Sequence, residues 1–234
     1  MNKFLSLFLF LQATLWASIF EDINSKKNVF ESGLVLVGLD NGLHFLEEQQ
    51  PNQTELIIGI HGGGTLGYEW IYPLNTLNNE KNRVAFFRWN PISVSCATEE
   101  LELLNTLIKE DLKDYEKITF IGHSLGGILL ARLVADIEHN NSIEAHIVAS
   151  PLKGIEPTNN FCNYKPPKKV SKNVDLYEWR TQKNLDGVFM ALPYDPQEIE
   201  IENSAVTRLP AEYKGNKLGH NWSISWVADQ ISGN

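Results

Sequence analysis

This sequence predicts an α/β fold built on one mostly parallel sheet, and three observations carry that prediction. Short apolar runs recur at Leu56–Ile60, Val84–Trp89, Ile118–Ile121, Ala145–Ala149 and Leu176–Trp179. Longer stretches with apolar residues at helical spacing separate most of them. Two of the runs end directly in glycine-rich turns, His61-Gly62-Gly63-Gly64 and Gly122-His123-Ser124-Leu125-Gly126-Gly127. In open α/β sheets the carboxyl ends of strands are where ligands bind. About seven to eight strands flanked by helices are expected.

The 234 residues are 43% hydrophobic and 21% charged, enough apolar surface for one domain with its own core. A formal charge of −9 argues against a nucleic-acid partner, which needs a basic surface. The chain carries no Walker loop, no H-E-x-x-H and no paired C-x-x-C, so neither a cofactor nor a metal is expected. At the start, Met1-Asn2-Lys3 is followed by an apolar run from Phe4 to Leu15, then Ala17-Ser18 and Glu21-Asp22. That three-part layout reads as a secretory signal peptide over residues 1–17, followed by a single domain over 18–234. Secretion or periplasmic export follows; an uncleaved membrane anchor is the alternative, because Leu15 is not the small residue a cleavage site prefers.

In chain order, Leu34–Val37 and Leu43–Leu46 flank Asp40-Asn41-Gly42, which predicts an N-terminal antiparallel hairpin. The Leu56–Ile60 strand leads into His61–Gly64, and a helix is expected over Trp70–Asn78. After the Val84–Trp89 strand, Thr98 is positioned to cap a helix whose buried stripe is Leu101, Leu104, Ile108 and Leu112. From Ser150 to about Val174 the chain is rich in proline and asparagine and carries Lys165, Lys168, Lys169 and Lys172. A loop this long past a strand end reads as a small cap loop, and its lysines suggest membrane-surface contact or simply a solvated surface. Ser204–Val206 gives a weak last strand, and Trp222, Trp226, Val227 and Ile231 a closing helix.

The stretch around Ser124 carries the chemistry. A strand, then G-x-S-x-G, then a helix is the context of a nucleophile elbow. A serine on so tight a turn needs small residues two before and two after it, here Gly122 and Gly126. The hydroxyl needs a base. His123 adjoins the serine in an orientation expected to face away from its hydroxyl, and His61 is expected to shape its loop. His44 and His146 fall within strands, and His139 lies toward the far end of a helix. His220, in Leu218-Gly219-His220-Asn221, remains as the base by elimination and by its place in a late loop. A carboxylate must orient it. Asp186, in Leu185-Asp186-Gly187-Val188, is preferred; Asp195 competes, and Glu178 and Asp175 lie in or before a strand.

As a set, HGGG at 61–64, GHSLGG at 122–127, the Leu185–Val188 stretch and Gly219-His220 resemble the α/β-hydrolase family, in its lipase and esterase branch. The order Ser124, Asp186, His220 is also the family's order. The resemblance implies hydrolysis of a small-molecule or lipid ester through an acyl-serine, with the oxyanion held by the Leu125 amide and by Gly63 or Gly64. The sequence departs from larger lipases in having only a short loop where they insert a helical cap. An acyltransferase, thioesterase or amidase would use the same residues, and a non-catalytic binding protein could share the scaffold. Cys96 and Cys162 both fall in loops at the carboxyl ends of strands, where an oxidising compartment would let them form a disulfide; two free buried thiols are the alternative.

Overall fold

The computed structural model describes residues 18–92, 95–137, 142–155, 159 and 162–233. The leader-like residues 1–17 and His139 lie outside the described residues. Among the described residues, no helix is long and apolar enough to cross a membrane.

Two helices precede the sheet, α1 (Ile19–Asn24) and α2 (Val29–Val37). Alternation follows: β1 (Gly42–Phe45), β2 (Glu55–Ile60), α3 (Tyr68–Leu77), β3 (Asn82–Arg88), α4 (Thr98–Glu110), β4 (Lys117–His123), α5 (Leu125–Ala135), β5 (Ser142–Val148), β6 (Val174–Arg180) and β7 (Ala205–Arg208). A short ribbon, β8 (Glu212–Tyr213) with β9 (Asn216–Lys217), precedes the last helix α6 (Ser223–Ser232). The seven-stranded sheet has the order β1-β3-β2-β4-β5-β6-β7. Every neighbouring pair is parallel except β1 with β3.

Strand alternation divides the core into two layers. Ile58, Ile60, Phe120, Ala145 and Ile147 pack with Leu104, Ile108, Leu129 and Leu133 of α4 and α5. On the other face Ile57, Phe86, Ile121 and Val148 pack with Trp70 and Leu74 of α3 and Ile224 and Val227 of α6. Because both faces are covered, the central strands read as continuous apolar runs.

The expected N-terminal hairpin does not form. Leu34–Val37 belongs to α2, whose start is fixed by Asn28: its side chain accepts from the amides of Phe30 (3.1 Å) and Glu31 (3.0 Å), and its Nδ2 donates to Glu31 Oε1 (2.9 Å). That reciprocal cap outweighs a four-residue apolar run, too short to distinguish strand from helix by periodicity. Gly33 lets α2 close on the chain ahead of α3, since a Cβ there would lie 2.3 Å from the Tyr68 amide nitrogen. β1 pairs instead with β3, Leu43 opposite Phe87. Two smaller differences concern helix starts. α4 begins at Thr98 itself after Ala97 with φ 63°, and no side chain caps it; α3 starts at Tyr68 rather than Trp70.

Two buried histidines brace the sheet. His61, just past β2, accepts from the Trp89 amide at Nε2 (3.2 Å), and its own carbonyl accepts from the Trp89 indole (2.9 Å). Its Nδ1 lies 2.8 Å from the Gly62 carbonyl, to which it donates. Burial, reinforced by the Arg88 guanidinium, lowers its pKa to about 4. His146 on β5 stacks on Tyr177 (ring centroids 4.8 Å apart) and accepts from the Trp179 indole at 3.0 Å. Burial lowers its pKa as well.

The 151–174 loop is tied to the β3–α4 loop by a disulfide between Cys96 and Cys162, whose Cα atoms are 5.5 Å apart. The loop then runs back to the amino ends of the strands. There Lys169 and Lys172, with Lys109, Asp175 and Glu202, line a groove of about 1290 Å³.

Two consequences for stability follow. Both histidines take up protons more readily when unfolded, so stability is full above pH about 6.5 and falls as pH drops towards 4, His61 alone costing on the order of 3 kcal/mol. Denaturant titrations across that range should show the fall; a flat profile would exclude it. Replacing both cysteines by serine is expected to lower stability by about 4 kcal/mol in the loop-entropy model, read as a lower denaturation midpoint with a steeper slope, because the uncrosslinked unfolded chain exposes more surface.

Candidate active site

Ser124 sits between β4 and α5 with φ 53° and ψ −121°, a conformation costing on the order of 1–3 kcal/mol that persists only when its surroundings impose it. Three hydrogen bonds do so. The Ser124 amide donates to the Val148 carbonyl (3.0 Å), and its carbonyl accepts from the Gly127 amide (3.0 Å) and the Ser150 hydroxyl (2.7 Å). The glycine two places on is required by close approach: a Cβ at Gly126 would lie 2.3 Å from the Ile60 carbonyl oxygen. Gly122 faces the same crowding, with a Cβ 2.7 Å from the Gly126 carbonyl oxygen.

That contact brings the His61–Gly64 turn against the elbow. A Cβ at Gly62 would lie 2.7 Å from the Ser124 Cβ, and one at Gly63 would lie 2.8 Å from Leu125 Cδ1. Gly63, Gly64, Ser124, Leu125 and His220 line one cavity of about 340 Å³. Leu125 is the first residue of α5, so its amide is one of the unpaired donors of a helix N-terminus.

His220 lies between β9 and α6. Its Nδ1 donates to Asp186 Oδ2 at 2.9 Å, which leaves the Nε2 lone pair as the basic face of the ring. Asp186 is wholly buried; its Oδ2 also accepts from the Thr181 hydroxyl (2.6 Å), and its Oδ1 from the amides of Val188 (2.9 Å) and Phe189 (3.2 Å). Burial pushes this carboxyl up, but the hydrogen bonds and the imidazole outweigh it and hold the pKa below the ordinary range. Gln197 braces Thr181 in turn, accepting from its amide (2.8 Å) and donating to its carbonyl (3.0 Å). The Phe189 ring meets His220 edge-on, with centroids 5.0 Å apart.

The competing acids are engaged elsewhere. Asp195 accepts from Arg208 (2.8 Å) and from the Gln197 amide (3.0 Å). Glu178 pairs with Arg180 at 2.8 Å. Asp175 lines the groove at the amino ends of the strands, away from Ser124.

His123 differs from expectation. It lines the cavity instead of facing away, with its ring 4.7 Å from that of His220 and its Nε2 donating to the His220 carbonyl at 3.2 Å. Strand alternation places it on the same face as Ile121, the face that α6 covers and onto which the His220 loop folds. Burial and the neighbouring imidazole keep its pKa well below the ordinary value, so it stays neutral. Thr181, Gln197 and Glu69, the last also lining the cavity, were not legible as site residues: the first two act through Asp186, and an acid in the first turn of a helix is ordinary.

Residues 92–166, which contain the elbow, match the model of the family described as "Putative serine esterase (DUF676)". No curated protein matches the chain. Among solved structures, it is similar to Est1E from Butyrivibrio proteoclasticus, with 14% identity, 82% of this chain and 90% of that chain covered, and a TM-score of 0.53. It is also similar to a lipase-esterase related protein from Clostridium acetobutylicum, with 14% identity, 82% and 97% covered, and a TM-score of 0.50. Sheet order, elbow and these likenesses together make the chain an α/β-hydrolase by fold, similar over residues 92–166 to that serine esterase family.

Proposed function

We propose that the chain hydrolyses carboxylic esters through an acyl-serine intermediate. The observation that carries the proposal is the pairing of the buried Asp186 with His220, 2.9 Å apart, where the imidazole lines the same cavity as a serine held in elbow geometry. The family match over residues 92–166 supports the same reading. In it, Ser124 Oγ attacks the acyl carbonyl while His220 Nε2 takes the hydroxyl proton. Asp186 holds the Nδ1–H tautomer and offsets the imidazolium charge. The Leu125 amide and an amide of the Gly63–Gly64 turn donate to the oxyanion. Collapse expels the alcohol, protonated by His220, and water activated by the same ring releases the acid.

Ser124→Ala is expected to lower kcat by about 10⁶ on short-chain p-nitrophenyl esters, and a fluorophosphonate probe should label Ser124 alone. Asp186→Asn should cost about 10⁴ by leaving His220 in the wrong tautomer, whereas Asp195→Asn should change kcat only a few-fold. Activity surviving Ser124→Ala would rule the mechanism out.

Export from the cytoplasm is part of the proposal. It is supported by the layout of Met1–Ser18 and by the Cys96–Cys162 disulfide, since such bonds persist in oxidising compartments. Mass spectrometry of the mature protein should find an N-terminus close to Ala17; an intact Met1 would contradict cleavage.

A further inference from the structure

Glu69, in the first turn of α3, lines the same cavity as Ser124 and His220, yet it has no part in the mechanism above. Its exposure is 7%, so the residue is more than nine-tenths buried. One oxygen is engaged: Oε1 accepts from the Thr65 hydroxyl, which itself accepts from the Gly67 amide at 3.1 Å. The other oxygen, Oε2, is buried with no hydrogen-bond partner among the described residues. No lysine or arginine lines the cavity. A buried carboxylate oxygen left unpaired is costly, so a site that keeps one is poised to accept a donor from a ligand.

The rest of the wall shows which part of the ligand that is. Leu125, Pro151, Ile155, Val188 and Phe189 make most of it apolar, suited to an acyl chain. Asn221, next to His220, donates to the Tyr68 hydroxyl at 3.1 Å, which ties the start of α3 to the loop carrying the base. His220 returns its proton to the departing alcohol, so the alcohol lies on the His220 side. That is also the side to which the first turn of α3 is tied.

We infer that Glu69 is a specificity residue which accepts a hydrogen bond from a donor, hydroxyl or ammonium, on the alcohol portion of the ester. The preferred substrates are then short esters of polar alcohols, of diol or amino-alcohol type, rather than of plain alkanols. This inference rests on the proposed esterase reading.

Two near-isosteric pairs test it by pH-stat hydrolysis: 2-hydroxyethyl butanoate against propyl butanoate, and 2-(dimethylammonio)ethyl butanoate against 3-methylbutyl butanoate. In the unaltered protein the donor-bearing member of at least one pair should have the higher kcat/KM, by roughly 10- to 100-fold. In Glu69→Gln the amide oxygen can keep the Thr65 bond while an NH₂ takes the place of Oε2, which removes the charged acceptor. The preference should then shrink at least about 10-fold. Glu69→Asp, which keeps the charge but withdraws the oxygen by one methylene, should shrink it too and serves if Glu69→Gln does not fold. A preference confined to the first pair identifies a hydroxyl, and one confined to the second an ammonium. No preference in either pair, or one undiminished in both variants, overturns the inference while propyl butanoate hydrolysis and Ser124 labelling leave the esterase reading intact. If no ester is cleaved and Ser124 is not labelled, both fall.

Discussion

The close approach of the β2 end to the elbow is the contact on which the rest depends. With no side chain at Gly126, the carbonyls of Ile60 and His61 come within reach of the first turn of α5. That contact sets how deep the His61–Gly64 turn sits, and it puts the turn on the wall of the same cavity as Leu125. It also helps to hold Ser124 in a backbone conformation that a serine avoids when unconstrained. Strand β5 completes the restraint through Val148 and Ser150. Three strands adjacent in the sheet, β2, β4 and β5, therefore meet at a single residue.

Around His220 the same economy recurs with polar groups. Asp186 is buried, which by itself favours the neutral acid, and only the summed donors of His220, Thr181, Val188 and Phe189 keep it ionised. Such a network is stable when every member is satisfied and costly when one is removed. Gln197, two residues beyond the rejected acid Asp195, is spent on holding Thr181. A carboxylate without such a cradle would be exposed, and its hold on the imidazole would be screened by water.

What could be read from residues alone follows from how local each constraint is. The elbow and the His61–Gly64 turn were legible because their glycines, a strand and a helix start all fall within ten residues of one another. The central strands were legible because burial on both faces makes them uniformly apolar. Leu34–Val37 was misread because its helical state is decided by Asn28 and Glu31, upstream of the apolar run. The β8–β9 ribbon escaped notice because its strands hold two residues each; only Lys214 (φ 49°) and Gly215 (φ 75°) mark its turn. Thr181, Gln197 and the orientation of His123 depend on elements distant in the chain, and no short pattern encodes them.

The disulfide has a topological consequence. The covalent ring closed by Cys96 and Cys162 spans a sequence separation of 66 residues and encloses α4, β4, Ser124, α5 and β5, while Asp186 and His220 lie outside it. A single proteolytic cut anywhere within the ring leaves the two pieces joined, with the nucleophile's strand and helix still attached to the remainder of the sheet. Cuts outside the ring have no such safeguard. The half of the catalytic apparatus hardest to reposition, the strained serine, is thus also the half that one broken peptide bond cannot release.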